Sequence, residues 1–71
     1  MSTDINSGDH FIHYKGGIYV VDFVAKHSET EEPLVIYREK LGDRTRWARP
    51  LSMWLEPVLK NGEMVPRFRK F

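Results

Sequence analysis

Residues 18–25 read Ile18-Tyr19-Val20-Val21-Asp22-Phe23-Val24-Ala25, and six of these eight side chains are β-branched or aromatic. Such residues lose rotamer freedom in a helix and pack well on a pleated surface, so the segment is expected to be a strand. On it Tyr19, Val21, Phe23 and Ala25 would share one face, with Asp22 on the other. A second strand is expected at Leu34-Val35-Ile36-Tyr37-Arg38-Glu39, after Pro33, which cannot donate to a ladder but can begin one. Between the two lies Ser28-Glu29-Thr30-Glu31-Glu32. Ser28 and Glu31 have capping-box spacing, yet Pro33 leaves room for only one helical turn, so a hairpin-like loop is expected.

Outward from this pair the turn signals are frequent. His13-Tyr14-Lys15 runs into Gly16-Gly17, which suits a short extended segment and a turn. Gly42-Asp43 marks another reversal, and Thr45-Arg46-Trp47-Ala48-Arg49 alternates as a third strand that Pro50 stops. Pro50-Leu51-Ser52-Met53-Trp54 suits one helical turn with proline at its start. Pro57-Val58-Leu59-Lys60 and residues 63–68 flank Asn61-Gly62, a strong hairpin signal, and Pro66 marks the last strand as an edge. About five short strands and one helical turn predict an all-β fold, a small SH3-like antiparallel barrel. The expected core is Ile18, Val20, Phe23, Val35 and Tyr37, with Trp47, Leu51, Trp54, Val58 and Val65. Residues 1–10 are expected to be a flexible arm, and residues 11–71 the single small β-barrel domain.

The chain has 71 residues and no cysteine, so disulfides, thiolate metal ligands and thiol nucleophiles are all excluded. A domain of this size removes only about 60% of its unfolded surface from water, which leaves a thin core. Any ligand pocket is therefore expected to be shallow or shared between subunits. No apolar run approaches a membrane span, and residues 1–9 lack the basic and apolar regions of a signal peptide, so a cytoplasmic protein without membrane contact is expected. The net charge of +1 hides an uneven distribution. Residues 1–35 carry two lysines against six acids, whereas residues 36–71 carry nine Lys or Arg against four acids. Six of those nine are arginine, whose planar fork of donors suits phosphate or carboxylate. The structural alternative is that they pair with the acidic first half.

The candidate chemistries are unequal. Asp9, His10 and His13, with His27 as a supplement, are the densest metal-ligand types, but two adjacent residues and a third on an extended segment do not make a tetrahedral set, so no metal is expected. His27, Ser28 and Glu29 contain the residue types of a hydrolytic triad. Neighbouring side chains on an extended backbone point to opposite faces, however, so no catalytic residue is assigned and the protein is not expected to be an enzyme. Arg38, Trp47, Arg49, Trp54 and Arg67 are the more informative set, since a guanidinium beside an indole face binds an anion and stacks a planar ring. Against this stands a structural use of both tryptophans as core.

Several segments follow one another in a distinctive order: His13-Tyr14-Lys15-Gly16-Gly17-Ile18-Tyr19, Ala25-Lys26-His27-Ser28-Glu29-Thr30-Glu31, Leu34-Val35-Ile36-Tyr37-Arg38, Gly42-Asp43, Trp47-Ala48-Arg49-Pro50-Leu51-Ser52-Met53 and Val65-Pro66-Arg67-Phe68. Together they resemble the small bacterial and phage family of unknown function DUF1653, over residues 13–68. Leu41 stands where the family pattern has Tyr before Gly-Asp, Ala48 replaces Val, and Trp54 replaces Phe. The resemblance implies a compact β-rich fold and brings no established reaction, cofactor or catalytic residue to carry over, so no cofactor is assigned. If the pattern marks a shared site, His27, Ser28, Glu29, Tyr37, Arg38, Trp47, Arg49 and Arg67 would form it. A structural use is also open for some: Arg38 could pair with Glu29, and Arg67 could pack over Trp47.

The expected function is that of a non-catalytic domain, oligomeric with itself, which holds a small anionic and planar ligand such as a nucleotide-derived signal. The ligand-binding set is His27, Ser28, Glu29, Tyr37, Arg38, Trp47, Arg49, Trp54 and Arg67, acting by sequestration in a bacterial or phage setting. Two alternatives remain open, a nucleic-acid-binding barrel using the arginine-rich second half and a protein- or peptide-binding adaptor using a strand edge.

Overall fold

The computed structural model describes residues 5–71. Seven strands and one helical turn follow in order: β1 (His10–His13), β2 (Ile18–Lys26), β3 (Pro33–Glu39), β4 (Trp47–Pro50), α1 (Leu51–Trp54), β5 (Pro57–Lys60), β6 (Glu63–Pro66) and β7 (Phe68–Lys70). Five strands form an antiparallel sheet in the order β4-β3-β2-β1-β7, and β5 pairs with β6 as a separate hairpin. The fold is all-β with one short helix, as the residue pattern predicts. It is not a closed barrel: β4 and β7 are the two free edges of the large sheet. The Asn61-Gly62 turn, with φ of 52° and 82°, folds β5 and β6 onto each other as a sheet of their own. Both central residues lie in the left-handed region that a type I′ hairpin requires.

The expected last strand is in fact two. Pro66 lacks an amide proton, and the Arg67 carbonyl accepts a hydrogen bond from the Tyr14 amide at 2.9 Å. The chain therefore leaves the hairpin at Pro66 and joins the large sheet at Phe68, which pairs with His13. Residues 5–9, expected as part of an arm, lie against β2: the Gly8 amide donates to the Val21 carbonyl and the Val21 amide to the Asp9 carbonyl. Ile5 packs on the core, and Asp9 pairs with Lys70 at 3.1 Å. Residues 1–4 of that arm lie outside the described residues.

The core cluster is Phe11, Val21, Val35, Tyr37, Trp54 and Phe68, with Val20 buried outside it. Three expected members, Val35, Tyr37 and Trp54, stand in this cluster. Phe23 does not, and is 52% exposed. The cause is a bulge between Val21 and Phe23: Val21 opposes Tyr37 whereas Phe23 opposes Ile36, so two residues that alternation assigns to one face point to opposite faces. Trp47 is also 52% exposed because β4 is an edge strand. Ile18, Leu51, Val58 and Val65 are half-buried, with Leu51 packed against the cluster. Phe11 and Phe68 supply the burial that the sequence pattern assigned elsewhere. The helical turn is the lid of this core. Pro50 precedes it, the Leu55 amide closes it on the Leu51 carbonyl, and Trp54 at its end is 1% exposed.

Candidate ligand-binding face

The register of the sheet brings the site together. Val35 opposes Arg49 and Tyr37 opposes Trp47, and directly opposed residues share a face, so Trp47 and Arg49 project on the side that α1 covers. Tyr37 in turn opposes Val21, Glu39 opposes Tyr19, Tyr19 opposes Phe11, and His13 opposes Phe68. This one face therefore carries an aromatic floor. The Trp54 and Phe68 rings stack 3.7 Å apart at 5°, Tyr37 meets Trp54 edge-on at 4.9 Å, and Tyr19 meets Tyr37 at 5.5 Å. His13 approaches Phe68 edge-on at 4.9 Å.

Cationic groups border this floor. The Arg49 guanidinium carbon lies 5.6 Å from the Phe68 ring centre, and no carboxylate pairs with Arg49 among the described residues. Its Nε is buried and finds no acceptor among the described residues; neither does the Nε of Arg67 nor the Nε1 of Trp54. All three are donor-only nitrogens, and a buried donor left unpaired costs about 1–3 kcal/mol. Trp54 is sealed in the core, so it is the two arginines that call for an acceptor from outside. Arg67 also donates through Nη2 to Glu56 Oε1 at 3.1 Å, which holds its side chain against the segment after α1.

Two titrations record the local field. Burial holds the His13 pKa below its usual 6.5, helped by the positive charges of Arg49, Arg67 and Lys15. The neutral ring is also required locally, because Nδ1 accepts a hydrogen bond from the Lys15 amide at 3.1 Å. Burial pushes the Tyr19 pKa up, assisted by Glu39 and Tyr37, so its hydroxyl keeps its proton and remains a donor. A guanidinium, a half-exposed indole and a tyrosine hydroxyl on one face are suited to an oxyanion joined to a flat ring.

The nine residues singled out from the sequence divide. Tyr37, Trp47, Arg49 and Arg67 belong to this region. Trp54 belongs to its floor as a sealed core residue, which corrects its expected role as a ligand contact. Arg38 is elsewhere: its Nε pairs with Asp22 at 3.3 Å, and the same carboxylate holds Arg46 at 2.8 Å. It opposes Val20, one step out of phase with Tyr37, and so faces the other side of the sheet. The suggested Arg38–Glu29 and Arg67–Trp47 contacts give way to Asp22 and Glu56 respectively. His27, Ser28 and Glu29 occupy the loop beyond the last β2–β3 pair, Lys26 with Pro33. There His27 Nδ1 accepts the amides of Glu29 at 3.1 Å and Thr30 at 3.3 Å, which organises the turn and occupies that nitrogen. Among the described residues no group of three or more His, Asp or Glu side chains is placed to hold a metal ion.

The chain matches the model of a family described as protein of unknown function (DUF1653) over residues 9–70. It belongs to the DUF1653 family. It is also similar to the crystal structure of a DUF1653 protein from Bordetella bronchiseptica, at 30% identity and a TM-score of 0.79, covering 97% of this chain and 90% of that one. No curated protein matches it. The DUF1653 match extends the resemblance read from the motifs, and it brings no activity with it.

His13, Tyr19 and Phe68 were missing from the sequence-derived set. All three stand within the quoted motif segments, so the signal was present. What could not be read was the register that joins the His13 segment to the Phe68 segment across β1 and β7. Clefts also border this face. One, of about 410 Å³, is polar and lies among Arg38, Lys40, Arg44 and Arg46, with Glu39 and Asp43. Another, of about 440 Å³, lies between β1–β7 and the β5–β6 hairpin, with His13 at its margin.

Proposed function

We propose that this protein is a non-catalytic binding domain whose ligand is a small planar anion, such as a nucleotide or a nucleotide-derived signal. The observation that carries the reading is Arg49: a guanidinium without a carboxylate partner among the described residues, its Nε buried without an acceptor, beside a half-exposed Trp47 on the same sheet face. Trp47 stacks the ring, Arg49 takes the anionic group, and Tyr19 contributes a hydroxyl. The open sheet edge at β4 supports a symmetric oligomer, since pairing two β4 strands would set two such faces side by side. In this reading the ligand is held and released without conversion, so that the protein acts by sequestration.

Nucleic-acid binding through the Lys40–Arg46 loop is the second reading, favoured by the cationic cleft there. It is the weaker one because Asp22 already neutralises Arg38 and Arg46 in part. Titration calorimetry with AMP, a cyclic mononucleotide and single-stranded oligonucleotides decides between them. The small-ligand reading predicts 1:1 binding of a mononucleotide, lost at least tenfold in Arg49→Gln. Tight binding of oligonucleotide alone, with a salt slope of about one log unit per phosphate contacted, would replace it with the second reading. Native mass spectrometry of the same protein reads the subunit number.

A further inference from the structure

The larger cleft opens on the side of β1 and β7 that carries Ile12 and Arg69, reaches round to His13 at the end of β1, and has a lining of different chemistry. Ile12, Val65 and Pro66, with Tyr14 and Gly16, make it mostly apolar; His13 also borders it, and its charged members are both cations, Lys60 and Arg69. Among the described residues no acid lines it. Arg69 opposes Ile12 in the β1–β7 ladder, so its stem rises from the same side of the sheet as the apolar floor. It is exposed and pairs with no carboxylate among the described residues. Lys60 is fixed by donation from Nζ to the Tyr14 carbonyl at 3.1 Å, which joins the hairpin to the β1–β2 turn and leaves its charge at the cleft. The volume of about 440 Å³ is within the range of about 300–1,000 Å³ typical of small-molecule sites.

We infer that this cleft is a second binding site, for a small amphipathic carboxylate whose apolar body lies along Ile12, Val65 and Pro66 and whose head meets Arg69. Two considerations select that class. An apolar wall without acids rejects a cationic or fully polar ligand, since neither would recover its lost hydration. A carboxylate presents two oxygens that one guanidinium fork satisfies, with Lys60 as second donor, and its single charge suits a mostly apolar lining better than the double charge of a phosphate dianion. The ligand also bridges the two sheets at their seam, so its binding holds the hairpin to β1.

Hexanoate is a suitable probe. Amide resonances of the 15N-labelled full chain are followed as hexanoate, hexanol and hexylamine are added in turn, for the native protein and for Arg69→Gln. The expected result is a saturable shift of the Ile12, Lys60, Val65 and Arg69 amides with hexanoate, at least tenfold weaker with hexanol, absent with hexylamine and at least tenfold weaker in Arg69→Gln. Arg69 is exposed, so the variant folds and its unshifted spectrum serves as the control. Equal response to hexanol, an unchanged affinity in Arg69→Gln, or shifts confined to the Trp47–Arg49 face would each overturn the assignment.

Discussion

Arg49 and Asp22 show how the same chemistry is used in two ways. Asp22 sits at the bulge of β2 and holds two guanidinium groups, so Arg38 and Arg46 are structural. Arg49 has an aromatic ring beneath it and, among the described residues, no carboxylate partner. Charge-assisted hydrogen bonds contribute about 1.5–3 kcal/mol, so Arg49→Gln is predicted to weaken nucleotide binding about 10- to 150-fold. Because no ion pair is broken, its melting temperature is predicted to stay within about 4 °C of the native value, read by calorimetry. His13 gives a pH prediction. Its folded pKa lies below the unfolded 6.5, so the unfolded state takes up the proton first. The stability that the neutral ring contributes is complete above about pH 6.5 and falls as pH drops toward the lower folded pKa, which denaturant titrations at stepped pH would register. An anion held by Arg49 would offset the cationic field and raise the His13 pKa, visible in an NMR titration with and without AMP. Glu31 is a third residue of interest, with φ of 63° in the turn closed by the His27 and Glu32 backbone. A side chain there costs about 1 kcal/mol, so Glu31→Gly is predicted to stabilise the protein by about that amount in urea denaturation.

At the scale of elements, α1 and the β5–β6 hairpin have opposite roles. The single turn of α1 delivers Trp54 to the centre of the sheet, stacked on Phe68. Truncating a buried aromatic costs about 3–5 kcal/mol, a large share of what a domain this small possesses, so Trp54→Ala is predicted to be largely unfolded by circular dichroism at 37 °C. The hairpin pairs with itself and exposes Leu59 and Met64. Gly62, at φ 82°, is held in the left-handed region. Gly62→Ala is therefore predicted to lose about 1–2 kcal/mol, and hydrogen exchange should show faster opening of β5–β6 before the large sheet responds. Most of these elements were legible because Gly-Gly, Asn-Gly and the prolines punctuate the chain. The β2 bulge was not, since Asp22 reads as an ordinary outward residue. Nor was the division at Pro66 and Arg67, because an X-Pro-Arg-Phe segment is compatible with one strand continued or with two. Both misreadings have one physical root: a single extra or missing ladder position reverses the face of every residue after it.

For the whole molecule, the consequence is an open sheet rather than a barrel, with one face sealed by α1 at its middle and left accessible toward β4. Sequence alone singled out the arginine and aromatic residue types, and of these Trp47, Arg49 and Arg67 stand at the proposed face. It could not separate them from Trp54 and Arg38, because the division depends on which strand is an edge and which face a bulge leaves inward. A site assembled from β1, β2, β3, β4 and the start of β7 also depends on the assembled sheet, so its affinity and the global stability are coupled. A ligand at 100 times its Kd would stabilise the fold by about 2.7 kcal/mol, a rise in melting temperature of roughly 10–20 °C for a domain of this size. The most direct measurement is an NMR titration with AMP that follows the two indole Nε1–H signals and the Arg49 Nε–H signal together. The account predicts that Trp47 and Arg49 shift on one saturating curve while Trp54, sealed against Phe68, moves little. Stationary Trp47 and Arg49 signals at millimolar AMP, or shifts that persist unchanged in Arg49→Gln, would contradict it.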